Sequence, residues 1–98
     1  MCGIFGYVGG RDSVHVVLQG LKQLEYRGYD SAGIAGLKGG ELLLCKEVGK
    51  IADLEKSVQQ MGLSLDLAIG QTRWATHGKV TKQNAHPHID SATSLALV

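Results

Sequence analysis

The chain has 98 residues, 44% of them hydrophobic, and its ten Lys and Arg against nine Asp and Glu leave a net charge of +1. That is one small domain at most, without the basic stripe of a nucleic-acid or anionic-membrane binder and without a run of about 20 apolar residues that could span a bilayer. The start lacks the basic and apolar regions of a signal peptide, and two cysteines, Cys2 and Cys45, make no secreted disulfide framework, so a reduced, cytoplasmic setting is expected.

From the N-terminus, Cys2 directly follows Met1. Removal of Met1, which a small second residue permits, leaves a thiol and a free α-amine on one residue. An α-amine titrates near about 7.7–8.0 and an ordinary thiol near about 8.5, so the amine can take the thiol proton at neutral pH, directly or through a water. Taken alone, Cys2 reads more readily as a small residue opening a buried strand, and the rest of the chain reverses that balance. Gly3–Val8 is apolar and β-prone, bounded by Gly9-Gly10, and reads as that strand.

Asp12-Ser13 offers a helix N-cap, after which Val14, Val17, Leu18, Leu21 and Leu24 recur at helical spacing, predicting an amphipathic helix from about Ser13 to Glu25. Arg27-Gly28-Tyr29-Asp30 breaks that pattern. Arg27 and Asp30 could form a local ion pair, and Gly28 suits a helix C-terminus or a turn with positive φ. Ala32–Leu37 and Glu41–Glu47 are strand-like runs around Lys38-Gly39-Gly40, a hairpin signal. In the second of them, Cys45 reads as a small buried apolar residue. Ile51, Leu54, Val58 and Met61 predict a second helical face, and Leu65–Gly70 another strand. A polar loop is expected from Gln71 to Ile89, shaped by the single proline, Pro87, with a final strand from near Ala92. Hairpin neighbours together with helical connections point to an α+β or layered sandwich rather than a doubly wound parallel sheet. The apolar run Ser94–Val98 reads as a strand in progress, which predicts that the sequence is the front part of a longer protein.

Three segments beyond Cys2 are rich in polar groups that a core does not need: Glu25–Gly33, Thr72–Gly78 and Asn84–His88. Arg73 is either a solvated loop cation or, beside Trp74, Thr76 and His77, a bidentate clamp for a carboxylate. Trp74, the single tryptophan, is either a loop anchor or a flat lid over a pocket. Thr76 and His77 either touch a substrate or hold the loop. His77, His86, His88 and Cys2 carry metal-ligating atoms, but their spacing matches no zinc pattern, and no metal site is expected.

Met1-Cys2-Gly3-Ile4, Tyr26–Gly33 and Thr72–Gly78, in this order and spacing, resemble the N-terminal glutaminase domain of the glucosamine-6-phosphate synthase family, within the class II, N-terminal-nucleophile glutamine amidotransferases. Each segment alone is weak, whereas the set is specific and the similarity covers essentially the whole chain. Amidophosphoribosyltransferase, a relative that also begins Cys-Gly-Ile, typically has Gln at the Tyr29 position and lacks the Arg-Trp-Ala-Thr-His form. The alternatives are such a relative with a different acceptor, or a non-catalytic glutamine-binding module.

The resemblance implies a four-layer αββα sandwich that is incomplete in this chain. Residues 1–98 would be the N-terminal part of the glutaminase domain, with the rest of it and the sugar isomerase domains beyond Val98. It implies that Cys2 attacks the side-chain amide of L-glutamine to give a γ-glutamyl thioester and ammonia, with its α-amine carrying the proton. Arg73 would hold the glutamine α-carboxylate, with Thr76 and His77 as further substrate contacts and Trp74 as gate over the ammonia route. Arg27, Gly28 and His86 would shape the nucleophile's surroundings. Closure of the Arg73–Gly78 loop would exclude water, which competes for thioester and ammonia. The acceptor would be fructose 6-phosphate, bound by the rest of a homo-oligomeric protein, with no cofactor. The family's Asn-Gly oxyanion pair and a later Asp for the substrate amine are expected after Val98. Losing one oxyanion donor costs on the order of 100–1000-fold in rate, so the 98 residues alone are expected to be inactive, and marginally folded, with an unpaired strand edge.

Overall fold

The computed structural model describes all residues from Met1 to Val98. Their order is β1 (Gly3–Val8), α1 (Ser13–Leu24), a single 3-10 turn (Glu25–Arg27), β2 (Ser31–Lys38), β3 (Glu41–Val48), α2 (Ile51–Met61), β4 (Leu67–Arg73), β5 (His88–Ile89) and β6 (Ala96–Leu97). The first four strands form one antiparallel sheet in the order β1-β4-β2-β3, and β5 and β6 pair as a separate two-stranded ribbon. The molecule is therefore α+β. No helix is long and apolar enough to cross a membrane.

Local chemistry accounts for most of the boundaries. The Asp12 carboxylate accepts the Val14 N–H (3.2 Å) at the start of α1, and Ser13 Oγ donates to the Asp66 carbonyl (2.9 Å), tying the helix to the entrance of β4. At α2 the Asp53 carboxylate accepts the Lys50 N–H (2.9 Å), while Glu25, at the end of the other helix, accepts the Ile51 N–H (2.7 Å). Gly62 ends α2 with φ +63°, a left-handed cap that suits glycine. Val14, Val17, Leu18 and Leu21 of α1 and Ile51, Leu54 and Val58 of α2 are buried against Ala32, Ile34, Cys45 and Ala68 of the sheet, closing one core on one face of it.

The departures from the periodicity have physical reasons. β4 runs on through Gln71, Thr72 and Arg73 instead of ending at Gly70, because a central strand finds ladder partners on both sides there: Ile4 and Gly3 in β1, Gly33, Ala32 and Ser31 in β2. Leu65 precedes the strand but is buried in the core, whereas Met61, the last residue of α2, is exposed. The terminal strand shrinks to Ala96–Leu97 because the Asp90 carboxylate accepts the N–H groups of Ser94 (2.7 Å) and Leu95 (2.8 Å), folding that stretch into a turn. On the far face of the sheet lie the Lys79–His88 loop and the β5-β6 ribbon, and Ile4 (60% exposed) and Val8 (78%) stay bare there.

Candidate active site

The sheet order brings the two ends of the functional sequence together. Gly3 of β1 and Thr72 of β4 are register partners, so Cys2 emerges beside Trp74 although 72 residues separate them. The Cys2 thiol is exposed, with Sγ accepting the Trp74 N–H (3.4 Å) and lying 3.8 Å from the Trp74 carbonyl. Met1 is 75% exposed, so its removal disturbs little packing.

The Trp74 peptide is held from behind by two residues. Gly28 packs flat on it: a Cβ there would stand 2.8 Å from the Arg73 carbonyl carbon and the Trp74 nitrogen. Its φ of 178° is extended backbone, so close approach, and not a positive-φ turn, is what requires glycine. Asp30 makes no ion pair with Arg27. Its carboxylate accepts the Ala75 N–H and the Ser31 hydroxyl (3.1 Å), and its own N–H donates to the Arg73 carbonyl (3.1 Å). Asp30 is the loop-bracing residue that the sequence reading missed, since a carboxylate three positions after an arginine reads as an ion pair. The tyrosine before it, Tyr29, meets the Trp74 indole edge-on at 5.6 Å and carries Lys50 Nζ 5.9 Å above its ring.

Arg73 ends β4 only 7% exposed, and its guanidinium turns into the following loop, donating to the carbonyls of His77 (2.6 Å) and Lys79 (3.0 Å). Of a guanidinium's roughly five N–H donors, about three remain for a ligand. Thr76 and His77 are exposed and make no side-chain hydrogen bond within the chain, so they face solvent at the rim while Arg73 organises the loop beneath them. Arg27 is half-buried behind the site with Nε unpartnered.

His86 sits deeper, on the far face of the sheet. Its carbonyl packs on Gly33, whose missing side chain makes the contact possible, and its ring lies 4.3 Å from that of His88. Burial, then the neighbouring His88, Arg73 and Lys46, push the His86 pKa below the usual histidine value. Its Nδ1 is buried without a partner, as is Oε1 of Gln71, a β4 residue only 6% exposed and in register with Gly33. No group of three or more metal-ligating side chains gathers anywhere in the chain.

The site thus sets an exposed thiol next to the chain start beside a loop anchored by a buried arginine. No protein-family model matches the chain. Among curated proteins, it is 54% identical over 98 residues to glutamine–fructose-6-phosphate aminotransferase (isomerizing) of Thermosynechococcus vestitus, and 52% identical over 98 residues to that of Chlamydia abortus. The protein of the same name from Chlamydia trachomatis serovar D is 54% identical over 98 residues. In each case all of this chain is covered, and the chain spans 16% of the relative's length. Among solved structures, the glutamine phosphoribosylpyrophosphate amidotransferase of B. subtilis superposes with a TM-score of 0.75 at 28% identity, over 87% of this chain and 18% of that one. The fold is thus that of the N-terminal-nucleophile amidotransferases. With more than half of its residues shared along its whole length, the chain belongs to the glutamine–fructose-6-phosphate aminotransferase family of class II amidotransferases.

Proposed function

We propose that this chain is the N-terminal part of a glutaminase domain that releases ammonia from L-glutamine for transfer to fructose 6-phosphate, which yields glucosamine 6-phosphate for amino sugar biosynthesis. The observation that carries the reading is the meeting of Cys2 with the Arg73–Gly78 loop across the β1-β4 ladder. After loss of Met1, the Cys2 α-amine takes the thiol proton and the thiolate attacks the side-chain amide carbon. The C–N bond breaks as the proton passes to the leaving nitrogen, releasing ammonia and leaving a γ-glutamyl thioester. Water then cleaves the thioester to glutamate and regenerates the thiol.

Arg73 suits the glutamine α-carboxylate, because its spare N–H groups lie at the loop that also bears Thr76 and His77. Trp74, 46% exposed and braced by Tyr29, suits a gate beside the thiol. Gly28 and Arg27 shape the pocket wall, and His86 supports the loop from beneath. On the same reading the 98 residues alone do not turn over glutamine, the oxyanion donors being supplied by the rest of the domain, and the part of the far face left bare at Ile4 and Val8 is where the remaining layers seat. Identity of 50–54% to the fructose-6-phosphate enzymes against 28% to the phosphoribosylpyrophosphate enzyme favours the hexose phosphate as acceptor.

The test is covalent labelling of the full-length protein with a diazoketone analogue of glutamine. The expected product is a single adduct on an N-terminal Cys2, and Cys2→Ala is expected to abolish glutamine use while sparing the ammonia-dependent reaction. An unlabelled Cys2, or retained Met1, sinks the proposal.

A further inference from the structure

Lys46 lies on β3, the edge strand of the sheet, in register with Gly33 of β2, over which the His86-Pro87 segment packs. Its side chain leaves the strand and reaches the far limb of the loop that begins at Arg73. Nζ donates to the Ala85 carbonyl (2.9 Å) and more loosely to that of Gln83 (3.4 Å), neither of which receives a backbone N–H. Partial burial pulls the Lys46 pKa below the usual lysine value.

Between the two carbonyls that Lys46 holds, Asn84 turns its side chain across the loop and donates from Nδ2 to the Lys79 carbonyl (2.9 Å). That same carbonyl accepts Nη1 of Arg73 (3.0 Å), while Nη2 is taken by His77 (2.6 Å). Hydrogen bonds joined through the covalent backbone of Gln83–Ala85 therefore link an ammonium on the sheet edge to the guanidinium at the end of β4.

We infer that Lys46 is a positioning residue for the substrate clamp: it pins the Gln83–Ala85 limb and, through Asn84 and the Lys79 carbonyl, sets where the Arg73 guanidinium stands. The inference rests on Arg73 being the group that holds the glutamine α-carboxylate. Without the ammonium the limb lifts, Asn84 leaves the Lys79 carbonyl, and one of the two carbonyls that anchor Arg73 loses its tether. The effect then falls on glutamine binding more than on the reactivity of Cys2, which Lys46 does not touch.

The experiment compares Lys46→Met, Lys46→Arg and, as a control, Lys38→Met in the full-length enzyme. Lys38 makes only a long exposed ion pair with Asp66 (3.7 Å). Lys46→Met is expected to raise the glutamine KM about tenfold, the effect of one lost charge-assisted bond, with a much smaller change in kcat. Lys46→Arg restores KM, since a guanidinium donates to two carbonyls as well, and Lys38→Met leaves it unaltered. Amide exchange in Lys46→Met quickens at Asn84 and Ala85 while α2 keeps its protection.

Wild-type KM in Lys46→Met, or a loss confined to kcat and melting temperature, overturns the inference. So does a Lys46→Arg protein as impaired as Lys46→Met. If Lys46→Met does not fold, Lys46→Gln, whose amide still donates, is measured by the same KM and exchange criteria. Failure of the diazoketone to label wild-type Cys2 would instead remove the glutaminase reading itself, whereas normal labelling with an unchanged KM removes only the role of Lys46.

Discussion

Single residues at this site act through the backbone they hold as much as through their own chemistry. Cys2 owes its position to the Trp74 peptide, and that peptide stands where Asp30 keeps it by accepting the Ala75 N–H. Asp30→Ala leaves this donor unpartnered, and the expected loss is about 1–3 kcal/mol of stability together with slower labelling of Cys2. Thermal unfolding and adduct mass spectrometry check the two effects separately, and a variant with normal labelling kinetics would show that Asp30 does not position the loop. His86 predicts a pH effect. Its folded pKa lies below the ordinary value of 6.5, so the unfolded chain binds a proton first as pH falls. The stability is then complete above about 6.5 and is lost as pH drops toward the folded pKa. His86→Gln is expected to flatten this acid slope in unfolding curves recorded between about pH 7 and pH 5, whatever it does to stability at neutral pH.

At the scale of elements, the site depends on how closely β2 and β4 can be approached. Gly33 admits the His86 carbonyl against the sheet, and Gly28 admits the Arg73-Trp74 peptide against the end of the 3-10 turn. A methyl group at either place meets backbone and not the yielding end of a side chain. Gly33→Ala is therefore expected to cost about 1–3 kcal/mol and to detach the Asn84–His88 segment, read as faster amide exchange at Ala85 and His88 with β2 itself still protected. Wild-type exchange in that segment would refute the role given to Gly33. The three polar residues that end β4 belong to the same element logic. Gln71 and Arg73 are buried beneath the loop, and the strand's ladder on both sides satisfies a backbone that polarity alone assigns to a loop.

For the whole molecule, the helices cover one face of the sheet and the loop and ribbon cover the other only in part. Ile4 and Val8 point outward from β1, and Leu95 and Leu97 of the ribbon region are also exposed. An apolar strip of this kind on a free molecule drives association. The 98-residue chain is expected to self-associate as its concentration rises in sedimentation velocity, and Ile4→Lys combined with Val8→Lys to reduce that association. A concentration-independent monomer would contradict it. The core itself, Leu21, Ile34, Leu54 and their neighbours, lies on the helical side and is closed without the far face.

The α+β class, both helices and the β2-β3 hairpin were legible in the amino-acid sequence, because each is written in local terms: a 3.6-residue period, an Asp N-cap and paired glycines at a turn. The family resemblance named Arg73, Trp74, Thr76 and His77 as a group. That β4 continues to Arg73, that Asp30 faces Ala75 and not Arg27, and that Lys46 reaches the loop from the opposite edge of the sheet became visible with the folded chain. The reason is that these contacts join residues about 30 to 70 positions apart, and a β-ladder register is a property of paired strands, which no single strand's pattern contains.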